Sequence, residues 1–260
     1  MAFHIHVPKP LHGWKAFFNE ISVIVIGVLI ALALEAIVEW AHWQHKAEDG
    51  KERLKVELHQ LAFYAAEQIA TAPCVQTQLN VLESHLLASK ATMDAVPLVQ
   101  NGFISTPVWT PLRPWPAQTW DALQQDGTTS HMSPKLQWSL GRIYQLTSLM
   151  RRRNDQTEDA QARLRLASQP VELTPEIRAS LLQDIWSQSN RSESGAEISS
   201  QIIARIRIAG LAPSGEEIDA ALIKRNYLSE SYVQLCKQNG LPVADWKAVV
   251  AKVRLPAFGQ

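Results

Sequence analysis

The sequence predicts an all-α protein: an N-terminal transmembrane helix continuing into a long helix, followed by an up-and-down helical bundle. Three observations predict it. An uncharged apolar run long enough to cross a bilayer lies near the N-terminus. Beyond it, apolar residues recur at spacings of three and four, with Ser-Pro and Thr-Pro start signals between the runs. No stretch carries the period-two alternation of a convincing strand or hairpin. The chain divides into a tail at 1–16, an anchor at 17–40, a helical body at 41–254 and a last short tail at 255–260. A Pro/Trp-rich connection at about 94–119 interrupts the body.

The N-terminal tail holds two prolines and three histidines, His4, His6 and His12, and reads as irregular and solvated rather than as a metal site. The anchor follows. Fourteen uncharged residues, Ile21 to Leu34, separate Glu20 from Glu35. At ~1.5 Å per residue they span only about 21 Å, so a hydrocarbon core of ~30 Å draws in the flanks from Phe17 to Val38. Ten of the fourteen are Ile, Val or Leu, which favours insertion by roughly 3–6 kcal/mol. Trp14 lies outside one end, and Trp40 and Trp43 outside the other. The ~39 Å between Trp14 and Trp40 along a helix matches two interfacial belts.

A cleaved signal peptide is the sharpest rival reading, with Lys9 and Lys15 ahead of the run and an Ala31-x-Ala33 site. The apolar pattern continues unbroken through Ala36, Ile37 and Val38, which favours a retained anchor. Glu20, Gly27, Ala31 and Glu35 fall within a sector of roughly 80°. Gly27 and Ala31 are a small-xxx-small pair of the kind that lets another membrane helix approach closely. The alternative is that both glutamates simply reach the interface. Lys46, Lys51, Arg53 and Lys55 would favour the C-terminal side as cytoplasmic, but Glu48, Asp49, Glu52 and Glu57 can pair with them. The expected orientation is N-terminus in the cytoplasm and body in the periplasm.

After the anchor, Leu54, Leu58, Leu61, Ala65, Gln68, Ala72, Val75, Leu79, Leu82 and Leu86 form a heptad seam. It packs on the chain's own later helices or, alternatively, on a second subunit. Pro73 predicts a kink, and Gly50 a looser junction with the anchor. In the Pro/Trp stretch Trp109, Trp115 and Trp120 are too apolar to leave in water. They plug the bundle end as a lid or present an aromatic binding surface. Thr119 is placed to cap a short helix from Trp120. Ser133-Pro134 opens a helix with Leu136, Leu140, Ile143, Leu146 and Met150 on its apolar stripe. Arg151, Arg152 and Arg153 follow and read as a solvated face. Thr174-Pro175 opens the next, which runs through Trp186, loosens around SNRSESGAE, resumes with Ile198, Ile202 and Ile206, and stops at Gly210. Ser214 starts another, with Ile218, Leu222, Tyr232 and Leu235 inside, ending near Gly240. ADWKAVVAKV makes a last short helix.

Chemistry is sparse. No phosphate-cradling glycine loop, G-x-S-x-G, H-E-x-x-H or C-x-x-C pattern occurs. Glu39, His42 and His45 could meet a metal, but the alternating Trp40 and Trp43 make an interfacial belt the simpler account. His59 and His85 fall on helical surfaces. Net charge is zero, with 25 basic and 25 acidic residues, so no global field suggests nucleic acid. Cys74 and Cys236 are the only cysteines. Outside the cytoplasm they are expected to form one disulfide, the alternative being two buried thiols.

The segment GWKAFFNEISVIVIGVLIALALEAIVEWAHW, with Glu20, Ile21, Ile26, Gly27, Val28, Leu29, Ile30, Ala31 and Leu32, resembles the anchor of uncharacterised bacterial single-pass membrane proteins. So do Pro73-Cys74, the Trp/Pro stretch, and Cys236 ahead of Gly240, Leu241 and Pro242. The resemblance implies an anchor with a helical extracytoplasmic body, and no activity. The expected function is a non-enzymatic interaction or scaffold protein of the cell envelope, without cofactor. Its partners would be the lipid bilayer and another membrane helix. A ligand-sensing bundle and an envelope lipid- or cell-wall-acting enzyme are the alternatives. The short tail counts against the sensor, and the missing nucleophile or metal constellation against the enzyme.

Overall fold

The computed structural model describes residues 13–101, 104–223 and 231–255. The tail histidines lie outside these, as do residues 224–230 in the middle of the helix predicted from Ser214 to Gly240. The chain separates into two units, Met1–Asp49 and Gly50–Gln260. The fold is all-α, with helices forming nearly all of its regular structure.

Helix α1, Trp14–Ala88, extends through both units. In the first unit its side chains from Phe17 to Trp40 are exposed wherever described, and this stretch is long and apolar enough to cross a membrane. In the second unit the middle of α1 is enclosed. From Leu61 to Thr71 every residue except the half-buried Phe63 and Gln68 is buried. A helix buried all round is a central one, and Ala62, Ala65, Ala66 and Ala70 keep it thin where neighbours crowd it. The seam residues Leu54, Leu58, Leu61, Val75, Leu79, Leu82 and Leu86 are covered by this same chain. The seam is therefore not free to form a coiled coil between subunits.

Pro73 stays within α1 as its sole proline, and the helix carries on past it. Proline removes the amide that would serve Ile69 O. Around that turn Thr71 Oγ1 donates to Glu67 O and Thr77 Oγ1 to Pro73 O. The backbone amide of Ala244 donates to Ala70 O at 2.8 Å, so the C-terminal segment docks where proline disturbs the ladder. The end of α1 is closed by a distant side chain. Arg178 donates to Leu86 O, Ser89 O and Lys90 O at 2.6–2.8 Å, satisfying carbonyls that a helix terminus leaves open.

The connection that follows contains short strands, contrary to the expectation of none. β1, Thr92–Met93, pairs antiparallel with the later β4, Val171–Glu172. β2, Val99–Asn101, pairs with β3, Ile104–Thr106. Strands of two and three residues carry too little alternation to be read from sequence. α2, Gln118–Gln125, comes next, then α3, Pro134–Leu164, and α4, Pro175–Ile208. Ser133 and Thr174 cap α3 and α4 as predicted, each accepting from the amide three residues on. α3 and α4 pack along one another. α4 does not loosen at SNRSESGAE. Ser192 and Gly195 are buried there, as are Ser199 and Ser200 just beyond, and a Cβ on Gly195 would come within 3.2 Å of Gln68 Nε2. These small residues serve close packing, not a break. Gly210, at φ 73°, ends the helix in the left-handed conformation.

α5, Gly215–Ile223, begins with a reciprocal capping box between Ser214 and Glu217. α6, Tyr232–Gln238, and α7, Trp246–Val250, complete the body. The helix predicted from Ser214 to Gly240 is thus two elements among the described residues. Gly50 lies inside α1 as the first residue of the second unit, where an added Cβ would meet Leu123 Cδ2 at 3.1 Å. One core cluster gathers Val75, Leu79, Leu82 and Leu86 of α1 with Met93, Val96, Leu164, Val171, Leu181 and Ile185. Full burial of each such large side chain is worth roughly 1.5–3 kcal/mol.

Candidate functional site

Two surfaces and one interior lattice carry the side chains that chemistry or recognition could use. The first surface is the apolar stretch of α1. Trp14 is 77% exposed and Trp40 65%. Trp43 is half-buried, with Lys46 Nζ 4.7 Å from its ring centroid. Glu20, Gly27, Ala31 and Glu35 all lie on exposed positions, and nothing stands within 4 Å of a Cβ placed on Gly27. The stripe is open to a second helix. Glu39, His42 and His45 do not converge, and no group of three metal-ligating side chains occurs among the described residues.

The interior lattice is built on two buried glutamates of α1: Glu67, and Glu57, which was expected to pair with the bases after the anchor and instead turns inward. Glu67 has no exposed surface. Arg113 donates to it twice, from Nε at 2.7 Å and Nη2 at 2.9 Å, the bidentate geometry that suits guanidinium and carboxylate. Its third donor is the amide of Tyr232, at 2.9 Å, the first residue of α6. Glu67 therefore caps a helix while holding an ion pair. Arg113 also lies over the Tyr232 ring at 4.9 Å and the Tyr64 ring at 5.7 Å. Burial pulls the arginine down, but the Glu67 carboxylate more than offsets this and leaves it above its ordinary value.

Glu57 is 7% exposed and forms no ion pair among the described residues. Its Oε2 accepts from the amide of Thr119 at 2.9 Å, and Oε1 from Trp120 N at 3.4 Å and Tyr144 Oη at 2.6 Å. Thr119 does not cap α2; its own amide is capped by Glu57 from another helix. The positive end of α2 and the phenol together take the charge. Burial first, and then the bond to Glu57, push the Tyr144 phenol far above its ordinary range. Tyr144 stacks on Trp120 at 5.0 Å and nearly parallel.

This lattice decides the fate of the aromatic connection. Trp115 is 2% exposed and Trp120 7%. Neither offers a face to a ligand, which corrects the reading of these two as a binding surface. Trp115 meets the Tyr64 ring edge-on at 6.1 Å. Trp109 is half-buried and fastened: its amide donates to Gln78 Oε1 at 2.6 Å and its Nε1 to Val99 O at 3.1 Å. The stretch is packing. Cys74 of α1 and Cys236 of α6 sit at disulfide distance, with Cα atoms 6.0 Å apart.

The second surface is a set of grooves around α3 and α4. One, of about 510 Å³, is floored by Leu166, Ile177 and Leu181 and edged by Arg163 and Asp184, which form a bidentate pair at 2.7–2.8 Å. Another, of about 430 Å³, is lined by Arg142, Arg205, Lys252 and Arg254. Of the three successive arginines, Arg151 and Arg152 are exposed as expected. Arg153 turns inward to Arg191 O and Ser194 Oγ, and burial holds it below its ordinary value. No family profile matches the chain, and no curated protein or solved structure matches it.

Proposed function

We propose that this chain is a single-pass protein of a bacterial inner membrane and serves as an interaction or scaffold protein of the cell envelope. Phe17–Trp40 crosses the bilayer, and the helical body stands in the periplasm. The observation that carries this reading is the stretch from Phe17 to Val38, whose large apolar side chains are 39% exposed or more. Water does not tolerate so continuous an apolar surface, and a bilayer or another membrane helix covers it. Two further features support it. Trp14 and Trp40 flank the stretch at interfacial spacing. The cysteine pair at disulfide distance suits an oxidising compartment.

The open stripe of Glu20, Gly27, Ala31 and Glu35 is the contact proposed for a partner helix. The test uses the full chain expressed in bacteria. After carbonate washing it stays in the membrane fraction, with peptides from before Ala33 present by mass spectrometry. Protease added to spheroplasts degrades the body. Mild crosslinking followed by pull-down recovers a membrane partner or a second copy. A mature protein beginning at Leu34, or a body protected in spheroplasts, overturns the reading.

A further inference from the structure

The groove lined by Arg142 of α3, Arg205 of α4, and Lys252 and Arg254 beyond α7 contains one carboxylate among its described residues, that of Glu197. Four cations against one anion would make an odd surface for a body whose overall charge is balanced. The deepest of the four is the most unusual. Arg205 is only 4% exposed, yet its Nε has no hydrogen-bond partner among the described residues. Its guanidinium lies over the Trp138 ring at 5.1 Å. A buried guanidinium without an anion is costly, and folded proteins seldom keep one except where something else neutralises it.

The neighbours do not supply the missing charge. Arg142 has the same sign and donates to Gln145 Oε1. Burial, and then the charge of Arg142, hold Arg205 below the ordinary arginine range, though an arginine stays charged in proteins. Glu197 lies at an exposed position and forms no ion pair among the described residues with Arg205.

We propose that this groove binds a phosphate-bearing small molecule. Arg205 holds the oxyanion through its fork of donors, with Arg142, Lys252 and Arg254 supplying the rest of the charge. Glu197 and Gln201 accept hydrogen bonds from hydroxyl groups on the remainder of the ligand. A net excess of three positive charges matches a phosphomonoester dianion better than a single carboxylate. A space of about 430 Å³ is the size of a small organic ligand, not a bare ion.

The same chemistry could come from a free phosphorylated metabolite or from a phospholipid headgroup, and titration distinguishes them. The full chain in neutral detergent micelles is titrated calorimetrically with glycerol 3-phosphate and, separately, with a short-chain phosphatidic acid, whose headgroup is also a phosphomonoester; glycerol and sulfate serve as controls. Saturable binding of glycerol 3-phosphate marks a soluble ligand, and binding of the lipid alone marks a headgroup. In either case Arg205→Gln weakens it by roughly tenfold or more. Should Arg205→Gln fail to fold, the double variant Lys252→Gln/Arg254→Gln, at two exposed positions, reports instead, with a loss of several-fold. No binding of either probe overturns the proposal. So does sulfate binding equal to the phosphate ester, or binding unchanged in both variants.

Discussion

Replacing Glu67 should damage the body more than its modest size suggests. The carboxylate is wholly buried and satisfies three donors, two from Arg113 and one from Tyr232 N. Glu67→Met leaves the guanidinium buried and takes away the carboxylate that accepts two of its hydrogen bonds. Removing one member of a buried pair costs about 3–5 kcal/mol, and the lost cap on α6 adds roughly 1 kcal/mol. Arg113→Met strands the carboxylate, with only the Tyr232 amide left, at a similar cost. The double variant removes both charges together, and buried pairs replaced by apolar groups are often neutral or better. The cycle should therefore show a coupling of about 3 kcal/mol or more, with the double variant more stable than either single one. Urea unfolding of the full chain in one neutral detergent measures it. Buried Trp115, in contact with Tyr64, gives a fluorescence signal, and helical circular dichroism gives the second probe. Additive single effects, or losses under about 1 kcal/mol each, would refute the reasoning, because they would mean that solvent or other groups already satisfy these charges.

Three further outcomes follow from the same geometry. The denatured, unreduced protein should show no free thiol, and Cys74→Ala/Cys236→Ala should lose on the order of 5 kcal/mol by loop-closure entropy across a sequence separation of 162; two labelled thiols per chain would reject the bond. Tyr144→Phe should cost about 1–3 kcal/mol by leaving Glu57 one donor short, and in a Glu57→Gln background the same change should cost much less, read from the same urea curves. Gly27→Leu with Glu35→Leu should weaken or abolish crosslinked species formed through α1 while leaving the unfolding of the body unchanged; an unaltered crosslinking pattern would show that the stripe meets only lipid.

The elements with local chemistry were legible. Ser133-Pro134 and Thr174-Pro175 name their helix starts because the cap and the proline act within one turn. Gly210 names its stop because only a positive φ closes that end. The apolar run of α1 needs no partner to be read. What escaped depends on residues far apart in the chain. Glu57 and Glu67 sit on a helix whose charged positions would ordinarily face water, and only the packing of later segments around all sides of α1 turns them inward. The SNRSESGAE segment has the composition of a turn. Its glycine, Gly195, lies where α4 comes close to Gln68 and Met150, and the helix runs on through the segment without a break. Arg205 escaped for the same reason: nothing in its sequence neighbourhood says that it will be buried without an anion.

The polar side chains of α1 also explain why the Trp/Pro stretch takes one position. Apolar packing alone could place tryptophans at several depths along an alanine-rich helix. Gln78 is met by the Trp109 amide, Glu67 by Arg113, and Glu57 by the amides of Thr119 and Trp120. These contacts follow the chain from 109 to 120 as α1 is followed back from 78 to 57, so the two run antiparallel and in a fixed register. Sliding the connection by one helical turn would strand all three buried polar groups, at ~1–3 kcal/mol each and more for the charges. The sum rivals the whole stability of an ordinary domain, about 5–15 kcal/mol. The connection is therefore a rigid part of the body despite having little regular structure.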